Sequence, residues 1–299
     1  MQDLPIRTEL HPVPSLTMTD RQFLLGEAGG VPTMLAGWLS LPQSPGRRPA
    51  VLLMHGSGGI GAAIPHWVRL INAAGMAAFV LDGFSGRGLT SVSADQALLG
   101  RLAFVHDIYR ALGVLAAHPG IDADRIAVMG FSRGGQGAFY AAMARFHRLW
   151  NPGGVIPAAT LAIYPDCGTR YIEDTVMVPR PIRVFHGTPD DFNPVAPVRA
   201  HLERLRAAGC DVALAEYAGA HHGFDNPLSR VAARTSGQSV RDCRIEEQAP
   251  GLLVNAATGE PFGYADPCVA RDAHVGGNPA AAGMLRVDVM ACLAALIGR

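Results

Sequence analysis

Ser132 lies at the centre of Gly130-Phe131-Ser132-Arg133-Gly134. A serine flanked by glycines two positions either side suits a sharp strand-to-helix turn, which lifts the hydroxyl clear of the backbone as a nucleophile. A serine hydroxyl needs a histidine to take its proton, and the histidine needs a carboxylate to fix its tautomer. Later in the chain, Asp190 and Asp191 follow Gly187-Thr188-Pro189, and His221 and His222 precede Gly223-Phe224. The order serine, acid, histidine is the one required when each group sits in a loop after its own strand. Either pair of side chains alone could equally be a solvated turn.

A second glycine cluster, Gly56-Ser57-Gly58-Gly59-Ile60-Gly61, admits two readings. With Asp82 ending the next apolar run, it matches the dinucleotide-binding pattern Gly-x-Gly-x-x-Gly, which would make the chain a nicotinamide-dependent oxidoreductase. That fold starts its helix within the glycines, however, so that the helix terminus faces the pyrophosphate. Here Ala62-Ala63-Ile64-Pro65 delays the helix. The reading preferred is an oxyanion site, in which amides near Ser57 and at Arg133 stabilise a tetrahedral intermediate. No cofactor is expected. A metal held by Asp190, Asp191, His221 and His222 has no ligand spacing on a helix to support it.

The elements needed to position these groups can be read from the apolar pattern. Residues 21–25 and 34–41 read as an antiparallel pair turning at Gly29-Gly30, after a Pro-punctuated, extended segment 1–20. Strands are expected at 50–54, 77–81, 126–129, 159–164, 182–186 and 212–217. Helices are expected at 65–74, 94–117, 135–145, 195–208 and 284–297. Alternation of strand and helix implies a mostly parallel sheet with helices on both faces. Ligands bind such sheets at the carboxyl ends of the strands.

Composition narrows the function classes. The formal net charge is +0 with no long basic or acidic run, which argues against a nucleic-acid partner bound through a charged face. With 49% hydrophobic residues, 299 residues can bury a large core, read here as a single domain. No run of about 18 uninterrupted apolar residues is present, so no membrane span is expected. Met1-Gln2-Asp3-Leu4-Pro5 lacks the features of a signal peptide, which suits a cytoplasmic protein or an exported one given without its signal. Cys243 and Cys268 lie in a polar, loop-rich stretch, where closing about 25 residues would stabilise the fold by roughly 3 kcal/mol. A disulfide there implies an oxidising compartment.

These motifs together resemble the α/β-hydrolase fold and, within it, the dienelactone hydrolase family. The resemblance rests on His55-Gly56-Ser57-Gly58-Gly59, Gly130-Phe131-Ser132-Arg133-Gly134-Gly135, Gly187-Thr188-Pro189-Asp190-Asp191 and His222-Gly223-Phe224. It implies a hydrolase of small-molecule carboxylic esters or lactones, working through an acyl-enzyme with Ser132, His222 and Asp190 as the triad. Asp191 and His221 then become neighbours. The family's namesakes use a cysteine nucleophile and clamp a substrate carboxylate with two arginines. Arg87 stands for the first of these, a substrate contact or else a structural loop arginine. The place of the second is taken by Asp225-Asn226-Pro227. The loop-rich stretch 226–280 resembles the extension of exported members and implies a periplasmic or secreted protein.

Overall fold

A computed structural model describes residues 6–43 and 45–298. Residues 1–5 of the expected extended segment lie outside it. Chain order begins with β1 (Ile6–Thr17), α1 (Asp20–Leu25), β2 (Val31–Pro42), β3 (Arg48–Met54) and α2 (Ala63–Ala73). It continues with β4 (Ala77–Asp82), α3 (Ala103–Ala116), β5 (Ile121–Phe131), α4 (Arg133–Tyr140) and α5 (Ala144–Trp150). Then come β6 (Ala159–Ile163), β7 (Ile182–Gly187), α6 (Val195–Ala207) and β8 (Val212–Tyr217).

One eight-stranded sheet runs in the order β1-β2-β4-β3-β5-β6-β7-β8. From β4 to β8 every pairing is parallel, while β2 runs antiparallel to both β1 and β4. Alternate residues of the central strands feed two cores. Leu52 and Met54 of β3 pack on one face with Phe104 and Ile108 of α3, Phe139 of α4 and Leu202 of α6. Val51 and Leu53 pack on the other with Trp67 and Ile71 of α2. Both faces being covered explains why these strands read as continuous apolar runs.

The edge of the sheet differs from the sequence expectation. Residues 21–25 belong to the helix α1, and the partner of β2 is β1, inside the segment expected to be merely extended. Thr19 caps α1 in a reciprocal box with Gln22, and Gly26 ends it with φ 72°. The Thr-x-x-Gln signal therefore outweighs the short apolar run. Pro12 and Pro14 are tolerated in β1 because an edge strand leaves one row of amides without a ladder partner. The expected helix 94–117 resolves into a short 3₁₀ turn at Gln96–Leu98 and α3. That expected at 135–145 is split between α4 and α5.

After β8 the chain forms short pieces: β9 (Ala233–Arg234), β10 (Ile245–Ala249), β11 (Leu252–Asn255) and β12 (His274–Val275). β9 pairs with β12, and β10 with β11. Cys243 and Cys268 are joined by a disulfide. Glu247 on β10 enters the main body, where its fully buried carboxylate takes two hydrogen bonds from Arg145, at 2.6 and 2.9 Å. It also accepts the amides of Ile172 and Gly251. The closing helix α7 (Pro279–Leu296) is long and apolar enough, by length and composition, to cross a membrane, with a mean hydropathy of 1.5. Here it buries Leu285, Val289 and Leu293 in the same core as Trp67, and its Asp288 accepts the Tyr217 hydroxyl at 2.8 Å.

Candidate active site

Ser132 occupies the turn between β5 and α4 with φ 53° and ψ −119°, a conformation rare for any residue but glycine. The flanking glycines are required by contact. A Cβ on Gly130 would come within 2.0 Å of the Gly134 carbonyl oxygen, and one on Gly134 within 2.2 Å of that of Met54. The Ser132 amide is tied to the Ile163 carbonyl at 2.9 Å, which fixes the turn to the end of β6.

The loops after β7 and β8 meet at this turn. His222 Nε2 lies 2.8 Å from Ser132 Oγ, and His222 Nδ1 lies 2.9 Å from Asp190 Oδ2. The other oxygen of Asp190 accepts the amides of Phe192 and Asn193, at 2.9 and 2.8 Å. The carboxylate is thereby locked within its own loop and wholly buried. The His222 ring is stacked on Phe192 at 4.6 Å and meets the edge of Tyr164 at 4.8 Å. Serine, histidine and aspartate form one continuous hydrogen-bonded chain on three strand ends.

The Gly56–Gly61 loop lies directly against this centre. A Cβ on Gly56 would sit 3.3 Å from Ser132 Cβ. His55 organises the loop: its Nδ1 pairs with the Gly56 carbonyl at 2.8 Å, and its Nε2 accepts the Gly83 amide at 3.1 Å. Burial holds its pKa below the ordinary value, so the ring is neutral and can play both parts. The Ser57 carbonyl is turned away, accepting the Val92 amide and the Ser91 hydroxyl. Among the described residues, neither the Ser57 nor the Arg133 amide is spent on a turn or cap hydrogen bond. Asp82, the acid of the dinucleotide alternative, instead caps the turn after β4, its Oδ1 accepting the amides of Phe84 and Ser85.

Arg87 is not at the site. Its guanidinium is buried with Asp107 in a two-pronged pair at 2.7 and 2.9 Å, and its remaining donors go to Thr17 and to the carbonyls of Leu16 and Gly83. With every N–H engaged, it fastens the loop after β4 to β1 and α3 and has none left for a substrate. This corrects the sequence expectation. Asp225, where the second family arginine would stand, accepts Trp67 Nε1 at 2.8 Å and the Tyr164 hydroxyl at 2.7 Å. Burial, together with the Asp225 charge, pushes the Tyr164 phenol well above its usual range and keeps it a donor.

Asp191 and His221 do not join the hydrogen-bonded chain. Asp191 turns the other way and accepts both the amide and the Nδ1 of His274, at 2.8 and 2.7 Å. Partial burial opposes ionisation of Asp191, but these hydrogen bonds outweigh it and hold its carboxyl below the usual range.

Sequence reasoning missed Tyr164 and Asn193. Tyr164 has φ 38°, and Asn193 Nδ2 donates to its carbonyl at 3.0 Å. Tyr164-Pro165 after an apolar strand, and Asn193-Pro194 after the acids, were the available signals. Another unforeseen group, Glu9, His11 and His118, gathers its ligand-type atoms within 4.8 Å. There the Gly120 amide donates to His118 Nδ1, which puts the ring proton on Nε2, facing Glu9. That arrangement is a hydrogen bond and not a metal-ready nitrogen.

The site opens into a cavity of about 540 Å³ between the Gly56–Gly61 loop and the segment after His222. A much smaller one, about 30 Å³, also reaches Ser132 and is lined by Arg101, Arg133, Gln136 and Tyr264.

The dienelactone hydrolase family model matches residues 35–246. No curated protein matches the chain. Among solved structures, a dienelactone hydrolase-like promiscuous phosphotriesterase from metagenomic libraries superposes with a TM-score of 0.60 at 16% identity, covering 97% of this chain and 98% of its own. A putative dienelactone hydrolase from Klebsiella pneumoniae subsp. pneumoniae gives 0.57 at 18% identity, covering 75% and 90%. A thermophilic esterase from Thermogutta terrifontis gives 0.52 at 21% identity, covering 64% and 79%. The family match runs through the serine, acid and histidine loops alike, and the chain belongs to the dienelactone hydrolase family, as a carboxylic ester hydrolase of the α/β-hydrolase fold.

Proposed function

We propose that the protein hydrolyses small carboxylic esters or lactones through a covalent acyl-enzyme on Ser132. The observation that carries this reading is the unbroken chain from Ser132 Oγ through His222 to Asp190, at 2.8 and 2.9 Å. As Oγ attacks the carbonyl carbon, its proton passes to His222 Nε2. Asp190 accepts from Nδ1–H, holding the tautomer and stabilising the imidazolium. The carbonyl oxygen gains the negative charge, and the amides of Ser57 and Arg133 are the donors aimed at it. Collapse of the tetrahedral intermediate expels the alcohol, which takes its proton from Nε2. Water then repeats the sequence on the acyl-enzyme with His222 as base, releasing the acid and restoring Ser132.

Labelling by a fluorophosphonate and hydrolysis of p-nitrophenyl acetate test this directly. Ser132→Ala should abolish labelling and cut kcat by at least about 10³-fold. Hydrolysis at the parental rate in that variant would refute the mechanism.

We also propose that the chain forms one domain, a reading supported by the buried Arg145–Glu247 pair linking 226–280 to α5. The Cys243–Cys268 bond supports a periplasmic or secreted setting. The denatured, unreduced protein should titrate three thiols, Cys167, Cys210 and Cys292, and all five after reduction. Five thiols without reductant would remove that argument.

A further inference from the structure

The two cavities that meet at Ser132 differ in size and in chemistry, and the mechanism assigns each to one arm of the ester. The leaving oxygen must take its proton from His222 Nε2, so the alcohol arm has to lie in the cavity that His222 lines. That is the larger one, of about 540 Å³, with Ile64, Phe131, Phe192, Leu228 and Val275 among its walls. Leu228 is 82% exposed at its rim and extends the apolar surface outward. The acyl substituent must point elsewhere once the carbonyl oxygen faces the amides of Ser57 and Arg133. The other space that reaches Ser132, lined by Arg101, Gln136 and Val240 and not by His222, is the cavity of about 30 Å³. A space of that size takes about one water molecule or one methyl group.

The small cavity cannot widen cheaply. Arg101 in its wall is held by the Tyr264 hydroxyl and Asp166, each at 2.8 Å, and by Thr169 at 2.9 Å. Arg133 is held by Gln96 at 2.8 Å and by the carbonyls of Leu99 and Gly100. Gln136 reaches Asp166 at 3.3 Å. Displacing any of these would strand a buried charge or its partner.

We infer that the substrates are esters of an acetyl-sized acid with a larger apolar alcohol, alkyl or aryl. This inference rests on the serine-hydrolase reading above and goes beyond it by naming the class of substrate.

Two ester series on the purified protein test it. With p-nitrophenol fixed, kcat/KM should fall at least about tenfold from acetate to butanoate and further to hexanoate. With acetate fixed, kcat/KM should rise by roughly threefold per methylene from ethyl toward hexyl alcohols as the chain enters the apolar cavity. Gln136→Ala or, if that variant does not fold, Val240→Ala should raise the butanoate-to-acetate ratio by enlarging the small cavity. A kcat/KM that rises with acyl length, or is flat across both series, overturns the assignment while Ser132-dependent hydrolysis still upholds the mechanism. Failure of every ester together with failure of fluorophosphonate labelling overturns both.

Discussion

Asp190 and Asp191 are adjacent in the chain yet serve two regions built in different ways. Asp190 belongs to the strand-end loops, whose positions follow from apolar burial: β5, β7 and β8 are parallel, and the loops that leave them converge on Ser132. Asp191, through His274, holds the segment 226–280, which has little core of its own. That segment is secured by individual polar and covalent ties: Asp191 to His274, Glu247 to Arg145, Gln238 to Gln96, and the Cys243–Cys268 bond. A parallel sheet tolerates loss of one contact because many residues share the load. A buried polar clasp such as Glu247–Arg145 does not, since removing one partner leaves the other buried and unpaired.

The largest expected effect separates the two acids. Asp190→Asn should lower kcat by about 10³ to 10⁴-fold through the wrong histidine tautomer, and Asp191→Asn by less than about tenfold. Steady-state kinetics on one ester decide it, and equal losses would erase the division of labour. Next, Glu247→Ala should destabilise the protein by about 3–5 kcal/mol, because Arg145 is left buried without its carboxylate. Urea unfolding measures this, and a change under about 1 kcal/mol would show that the clasp is dispensable.

Reduction of the disulfide should cost roughly 3 kcal/mol of stability, with kcat changed by less than about tenfold, since the ties of His274 and Gly276 to the site loops remain. A collapse of activity on reduction would mean that the covalent link itself positions His222. A further effect is set by pH and falls on the sheet region. Burial pushes His106 down to about 4 and lowers His55 and His186, so all three are neutral when folded. The unfolded chain binds protons at these rings below about pH 6.5, so stability should decline as pH falls from there toward 4. The unfolding free energy from urea melts between pH 7 and 5 should fall with a slope approaching about 1.4 kcal/mol per unit from His106, with His55 and His186 adding in the same direction. A flat profile would place protonated rings in the folded protein.

The contrast also explains what the sequence made legible. Ser132, Asp190 and His222 could be located because each follows an apolar strand, and strand order dictates where loops meet. Cys243 and Cys268 could be paired because a polar stretch needs a brace. Arg87 could not be placed from spacing: only the fold reveals that Asp107, the Thr17 hydroxyl and the carbonyls of Leu16 and Gly83 use all its donors. The edge was misread because Pro12 and Pro14 argue against a strand in general but not against an outermost one. Tyr164 escaped notice because its role depends on a left-handed backbone that only tertiary contacts with Asn193 and Asp225 make tolerable.

The backbone on either side of His222 has a further consequence. The carbonyls of His222 and Phe224 accept the amides of Gly276 and Asn278, at 2.9 and 2.8 Å, so the histidine loop is held along its edge like an inner strand. In the proposed mechanism, acylation and deacylation would call on one imidazole that stays in place between them. The alcohol would then leave past Leu228 and the water enter by the same mouth, with no swing of the base to time the exchange.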